Sequence, residues 1–141
     1  MTAMDQDGAA TLRGLPKLDV LLVEDVEINR DLMVQILEDL CELRVAQDGA
    51  EALSQIARRR PDVLLLDLSL PLIDGWEIAR RLGGEPWRDR LWIIALTAHA
   101  MSGDREAALD AGCDDYMAKP VDETALLRLM AGIARRRRSG G

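Results

Sequence analysis

Four consecutive apolar residues, Val63-Leu64-Leu65-Leu66, run straight into an aspartate, Asp67. Pro61 halts any helix before them, and the run is far short of the roughly 18 apolar residues that a membrane-crossing helix needs. A strand with one wet face alternates apolar and polar side chains. A run without alternation reads as a strand covered on both faces. A strand buried on both sides needs helices above and below it, so the flanking chain has to supply them.

The flanking chain does so by alternation. Residues 20–23 and 92–96 are two more apolar runs of strand length, and residues 43–46 and 116–118 read as shorter strands. After the first strand, Ile28, Leu32, Met33, Ile36, Leu37 and Leu40 recur at helical spacing and predict an inward face. Asp48, with Glu51 three residues on, predicts a capped helix carrying Ala52, Leu53, Ile56 and Ala57 inward. Asp74 and Glu77 repeat the pattern before Ile78, Ala79 and Leu82, and Gly83-Gly84 ends that helix. Ser102 predicts a helix through Ala111, closed by Gly112. Asp122 caps a last helix with Leu126, Leu129, Met130 and Ile133 on one face. Five strands alternating with five helices predict an α/β fold, a (βα)5 doubly wound parallel sheet. Residues 1–17 have no apolar period and read as a flexible leader. Residues 135–141, Arg-Arg-Arg-Arg-Ser-Gly-Gly, read as a basic disordered tail, which leaves 18–134 as the folded domain.

Several function classes are excluded. With 25 acidic against 18 basic residues the net charge is −7, which disfavours non-specific contact with nucleic acid. Cys41 and Cys113 form no metal-ligand spacing and read as inert, and His99 is the only histidine. No stretch has the length of a membrane helix or the pattern of a signal peptide, so the expected location is cytoplasmic, away from membranes. Trp76, Trp87 and Trp92 read as packing residues.

In open parallel sheets, ligands bind beyond the carboxyl ends of the strands. The polar residues there are Glu24 and Asp25 after strand one, Asp67 after strand three, Thr97 after strand four, and Lys119-Pro120 after strand five. Three neighbouring carboxylates repel one another unless a cation sits among them. An oxygen-only donor set suits a hard ion, most simply Mg2+. A hydroxyl, an ammonium and a metal beside a carboxylate are what a phosphoryl group needs, so the set reads as phosphoryl chemistry on an aspartate.

Glu24-Asp25, the segment Asp67-Leu68-Ser69-Leu70-Pro71-Leu72-Ile73-Asp74-Gly75, Leu96-Thr97-Ala98 and Lys119-Pro120 together resemble the receiver domain of two-component response regulators. The resemblance implies a flavodoxin-like sheet of order 2-1-3-4-5. It also implies Asp67 as phosphoacceptor, and Mg2+ held by Glu24, Asp25, Asp67 and the backbone carbonyl of Ser69. Lys119 would pair with the phosphoryl group. Thr97 and Tyr116 would form the switch, and Pro120 would follow a cis bond. Ser69 and His99 would occupy the positions that tune phosphoryl lifetime.

The implied function is that of a single-domain response regulator. It would take a phosphoryl group from a sensor histidine kinase or a histidine phosphotransfer protein, and would perform no turnover of an external substrate. Its output would be a downstream protein, or self-association, through the 102–133 face. One alternative is a receiver excised from a hybrid histidine kinase. Another, of a different class, is a metal-dependent phosphohydrolase with an aspartyl nucleophile, although such enzymes place the nucleophile after the first strand. A nucleotide or flavin module lacks its Gly-rich loop here, because carboxylates stand after the first strand.

Overall fold

The computed structural model of the chain describes residues 3–68, 75–98 and 104–139. The elements run α1 (Ala3–Arg13), β1 (Asp19–Val23), α2 (Glu27–Leu37), β2 (Glu42–Ala46), α3 (Gly49–Arg58), β3 (Val63–Asp67), α4 (Gly75–Gly83), β4 (Trp92–Thr97), α5 (Asp104–Asp110), β5 (Asp115–Ala118) and α6 (Glu123–Ser139). A 3-10 turn, Arg88–Arg90, precedes β4. The strands are parallel throughout and lie in the order β2-β1-β3-β4-β5, as expected.

The unbroken apolar run of β3 is divided by strand geometry, because successive side chains point to opposite faces. Val63 and Leu65 enter a core shared with α1, α2 and α6, while Leu64 and Leu66 enter a second core under α3, α4 and α5. Val20 and Leu22 against Leu21 and Val23 of β1 split in the same way. Each buried leucine contributes about 1.5–3 kcal/mol relative to exposure. The two cores clamp β1 and β3 from both sides and hold their carboxyl ends in place.

The local signals act largely as the sequence predicts. Asp48 caps α3, accepting from the Glu51 N–H at 2.8 Å, and Asp122 accepts from the Ala125 N–H at 3.1 Å. Gly112 stands at φ 107°, the left-handed conformation that ends α5. Asp74 and Ser102 lie outside the described residues. Cys41 and Cys113 are buried and unbonded to each other, and burial pushes their thiols up to about 12 and about 11. Among the described residues no helix is long and apolar enough to cross a membrane.

Three expectations are corrected. Residues 3–13 form a helix rather than a flexible leader. Leu12 is buried, Ala9 and Leu15 pack beside it, and Gly8 rests against α6 so closely that a Cβ would lie 2.7 Å from the Leu127 carbonyl carbon. A helix that docks by small residues shows no apolar stripe. Residues 135–139 continue α6 rather than forming a disordered tail. Arg135 bonds the Thr11 hydroxyl at 3.0 Å, and Arg137 pairs with Asp62 at 2.7 Å and with the Arg90 carbonyl.

The third concerns α2. Met33, Leu37 and Leu40 face the core, but Ile28 is 67% and Leu32 53% exposed. At about 100° per residue, Leu32 lies ~100° and Ile28 ~140° around the helix from Met33, beyond the reach of the sheet.

The close approach at Gly8 generates a test. Gly8→Val is expected to lever α1 off α6 and cost about 1–3 kcal/mol, the usual cost of overpacking. Urea unfolding would read it, and an unchanged midpoint would show that α1 carries no stability.

Candidate functional site

Parallel register sets two carboxylates side by side. Val23 of β1 stands opposite Leu66 of β3, so the next residues, Glu24 and Asp67, leave the sheet together at its carboxyl edge. Asp67 stands opposite Leu96 of β4, and Thr97 opposite Ala118 of β5. The Lys119 N–H donates to the Thr97 carbonyl at 2.7 Å, which brings the end of β5 to the same edge.

Glu24, Asp67 and Thr97 are 1%, 3% and 5% exposed, whereas Asp25 faces solvent. Lys119 Nζ donates to Glu24 Oε1 at 2.5 Å and lies 3.2 Å from Asp67 Oδ2. The other Glu24 oxygen accepts from the Val26 N–H at 3.2 Å. Arg30 donates to the carbonyls of Glu24 and Asp25, tying down the turn through its backbone.

Burial pushes the Glu24 carboxyl above its ordinary range. The Lys119 hydrogen bond opposes this and the Asp67 charge adds to it. For Lys119, burial works against the ammonium, but the bond to Glu24 and the charge of Asp67 outweigh it, and the group titrates above its ordinary value. Lys119 therefore stays cationic.

Carboxylate oxygens of Glu24, Asp25 and Asp67 all lie within 4.8 Å of one another. At an effective dielectric near 20, each such pair repels by about 3–4 kcal/mol. One ammonium against three carboxylates leaves two negative charges, the complement of one divalent cation. The donors are oxygen only, which fits a hard ion such as Mg2+ rather than a thiophilic metal.

The structure thus brings together Glu24, Asp25, Asp67, Thr97 and Lys119. Tyr116 is half-buried against the core under α3, α4 and α5, one strand over from Thr97. The Lys119–Pro120 peptide bond is cis. Ser69 and His99 lie outside the described residues.

Two features escaped the sequence reading. A Cβ on Gly75 would lie 2.5 Å from the Asp67 carbonyl oxygen and 2.7 Å from the Leu68 Cα, so α4 starts pressed onto the backbone that carries Asp67. In the sequence Gly75 appears only as the last residue of the segment that resembles the receiver family, with nothing to mark this close approach. A cavity of about 440 Å3 also opens beside Glu24 and Lys119, walled by Leu32, Met33 and Ile36 of α2 and by Pro120. Val26 and Ile28, at the start of the same helix, are also exposed, so this end of α2 offers an apolar surface that continues from the Leu32 wall of the cavity.

The family model of the response regulator receiver domain matches residues 20–131. The chain belongs to that family. Receiver domains are the phosphorylatable components of two-component signalling. Over 118 residues this one is 41% identical to the response regulator MprA of Mycobacterium tuberculosis, covering 83% of this chain and half of that protein. Among solved structures it resembles the receiver domain of the Saccharomyces cerevisiae response regulator Ssk1, co-crystallised with the histidine phosphotransfer protein Ypd1. That match has TM-score 0.80 and 28% identity, covering 87% of this chain and 92% of that one. It also resembles the receiver domain of the Pseudomonas aeruginosa sensor histidine kinase PA1611, solved with magnesium in its active-site cleft. Here the TM-score is 0.74 and the identity 35%, covering 89% of this chain and all of that one.

The Lys119 pairing has a measurable consequence. Lys119→Met strands two buried carboxylates and is expected to destabilise the metal-free domain by about 3–5 kcal/mol. Adding Glu24→Gln should restore part of that loss. Chemical unfolding in the presence of a chelator reads both, and an unaltered Lys119→Met midpoint would mean that the ammonium does not hold the cluster together.

Proposed function

We propose that Asp67 accepts a phosphoryl group from a phosphohistidine on a sensor histidine kinase or histidine phosphotransfer protein. The observation that carries this reading is the buried Asp67 carboxylate, with an ammonium 3.2 Å away and two further carboxylates poised around it. Glu24, Asp25 and Asp67 would hold Mg2+, with the Ser69 carbonyl as the resemblance implies. The ion, when bound, neutralises charge on the phosphoryl oxygens. The Asp67 oxygen forms the new O–P bond as the N–P bond of the donor breaks, its electron pair returning to the imidazole nitrogen. Lys119 pairs with the phosphoryl oxygens, exchanging a contact it already makes to Asp67, and the Thr97 hydroxyl donates to them.

The apolar rim of Val26, Ile28 and Leu32 gives the donor protein a surface to dock on beside Asp67. The solved complex of a similar receiver with a histidine phosphotransfer protein supports a donor of that kind. The protein acts on itself and turns over no external substrate. Phosphorylation is read out as protein contact through the 102–133 face. Part of α6 there is already covered by α1, while α5, with Leu109 41% exposed, and the outer side of α6 at Glu123, Ala125 and Arg128 remain accessible.

Incubation with a small acyl-phosphate donor and Mg2+ is expected to add one phosphoryl mass, lost in Asp67→Asn and on chelation of the metal. Stoichiometric labelling of Asp67→Asn would overturn the assignment, and steady release of phosphate from simple esters would favour the phosphohydrolase reading instead.

Thr97→Ala keeps Asp67 and its carboxylate neighbours. It is expected still to be labelled but to lose most of the change in partner binding or self-association that beryllofluoride produces in the wild type. Equal responses in both proteins would remove Thr97 from the coupling.

A further inference from the structure

At the opposite end of the sheet a group of arginines stands among Asp19, Glu42, Asp62, Asp89, Asp114 and Asp115. The chain carries net −7, yet arginines gather where the helices end and the strands begin: Arg59 and Arg60 after α3, Arg88 and Arg90 in the 3-10 turn, Arg136 and Arg137 in α6. Cations at helix C-termini complement the macrodipole, and several here are neutralised. Arg59 pairs with Asp19 at 2.6 Å, Arg88 with Asp114 at 3.0 Å, and Arg137 with Asp62 at 2.7 Å. Among the described residues, no carboxylate lies within ion-pair distance of Arg90 or Arg136.

Those two arginines line one cavity of about 520 Å3, within the range of small-molecule sites. Its apolar part is Leu91 and Ile133, both buried, and the Trp92 ring. The ring is held in place by Trp92 Nε1, which donates to Asp115 Oδ2 at 2.8 Å. The Arg136 guanidinium sits over it, 5.1 Å from the ring centroid. Arg137 closes another wall, already neutralised by Asp62, and Asp89 is the one opposing charge in the lining.

The Arg136 guanidinium thus lines the cavity within cation–π distance of the indole, and a guanidinium is planar with an N–H edge. The face stacks on a ring, and the edge forks onto phosphate oxygens. Two arginines without carboxylate partners supply charge for more than one phosphate oxygen. The site is concave and ring-lined, which suits a compact ligand better than a flat lipid surface or a long acidic peptide.

We propose that this cavity binds a nucleoside diphosphate or triphosphate, with its base against Arg136 and Trp92 and its phosphates on Arg136 and Arg90. The site opens at the start of β4, whose far end is Thr97. Five residues at about 3.3 Å each put the two ends ~17 Å apart, so the cavity is separate from the acidic cluster.

The experiment is calorimetric titration of the full chain with ADP in a chelator-containing buffer, which prevents any metal-bridged binding at Asp67. One ADP per chain is expected. Inorganic pyrophosphate is expected to bind about tenfold more weakly, since it has no ring to stack. Arg136→Ala and Arg90→Ala should each weaken ADP about tenfold. Arg136→Lys, which keeps the charge but not the planar fork, should resemble Arg136→Ala, and Arg81→Ala on α4 should leave binding unaltered. Circular dichroism checks that each variant is folded.

The proposal is overturned if ADP fails to bind at millimolar concentration or if pyrophosphate binds as well as ADP. It is also overturned if Arg81→Ala weakens binding as much as the cavity variants do. Sedimentation of the protein with anionic phospholipid vesicles that ADP does not compete away would assign the arginines to a membrane instead. Phosphorylation of Asp67 is measured separately and stands or falls without reference to this result.

Discussion

Two buried carboxylates and one ammonium share the carboxyl edge of the sheet, and the rest of the architecture serves to keep them there. Glu24 and Asp67 are held together by the register of two strands that cannot slip, because sliding by one residue would exchange the contents of the two cores. Lys119 arrives from the far end of the sequence and supplies the charge without which the two acids would not remain buried. The cluster is stable enough to fold around and still two charges from neutrality. That imbalance makes it receptive to a divalent cation and to a group whose charge can be shared among metal, ammonium and hydroxyl.

The sequence made the sheet and the acidic edge legible for a common reason. Val63–Asp67 is apolar until it meets the edge and acidic at that point, so one short segment reports both its burial and its exit. Glu24-Asp25, Thr97 and Lys119 stand at the equivalent points of the other strands, and parallel topology then brings them together without further information. Ile28 and Leu32 show the limit of periodicity. A helical pattern of apolar residues says that one side is apolar, but not how much of that side the sheet can reach. Part of the uncovered remainder, Leu32, walls the cavity beside Glu24 and Lys119.

The parts that were not legible are tertiary contacts made by small or basic residues. Gly8 and Gly75 matter because another backbone comes within contact distance, and nothing local in the sequence records that approach. The arginines of residues 135–137 look like a solvated tail until Asp62, Thr11 and Trp92 are placed next to them. Trp92 was read as packing. It does pack, but its ring also carries Arg136 and borders a cavity. In each case the residue type was visible and its partner was not.

The docking of α1 on α6 has a consequence for the order of events in folding. Gly8 and Leu127 stand near opposite ends of the chain, so their contact has among the longest loops to close. During synthesis α1 emerges well before α6, the helix that receives it. Until α6 has been made, Leu12 and Leu15 lack part of the surface that covers them, and the α1–α6 contact has to wait for the synthesis of all five strands between them.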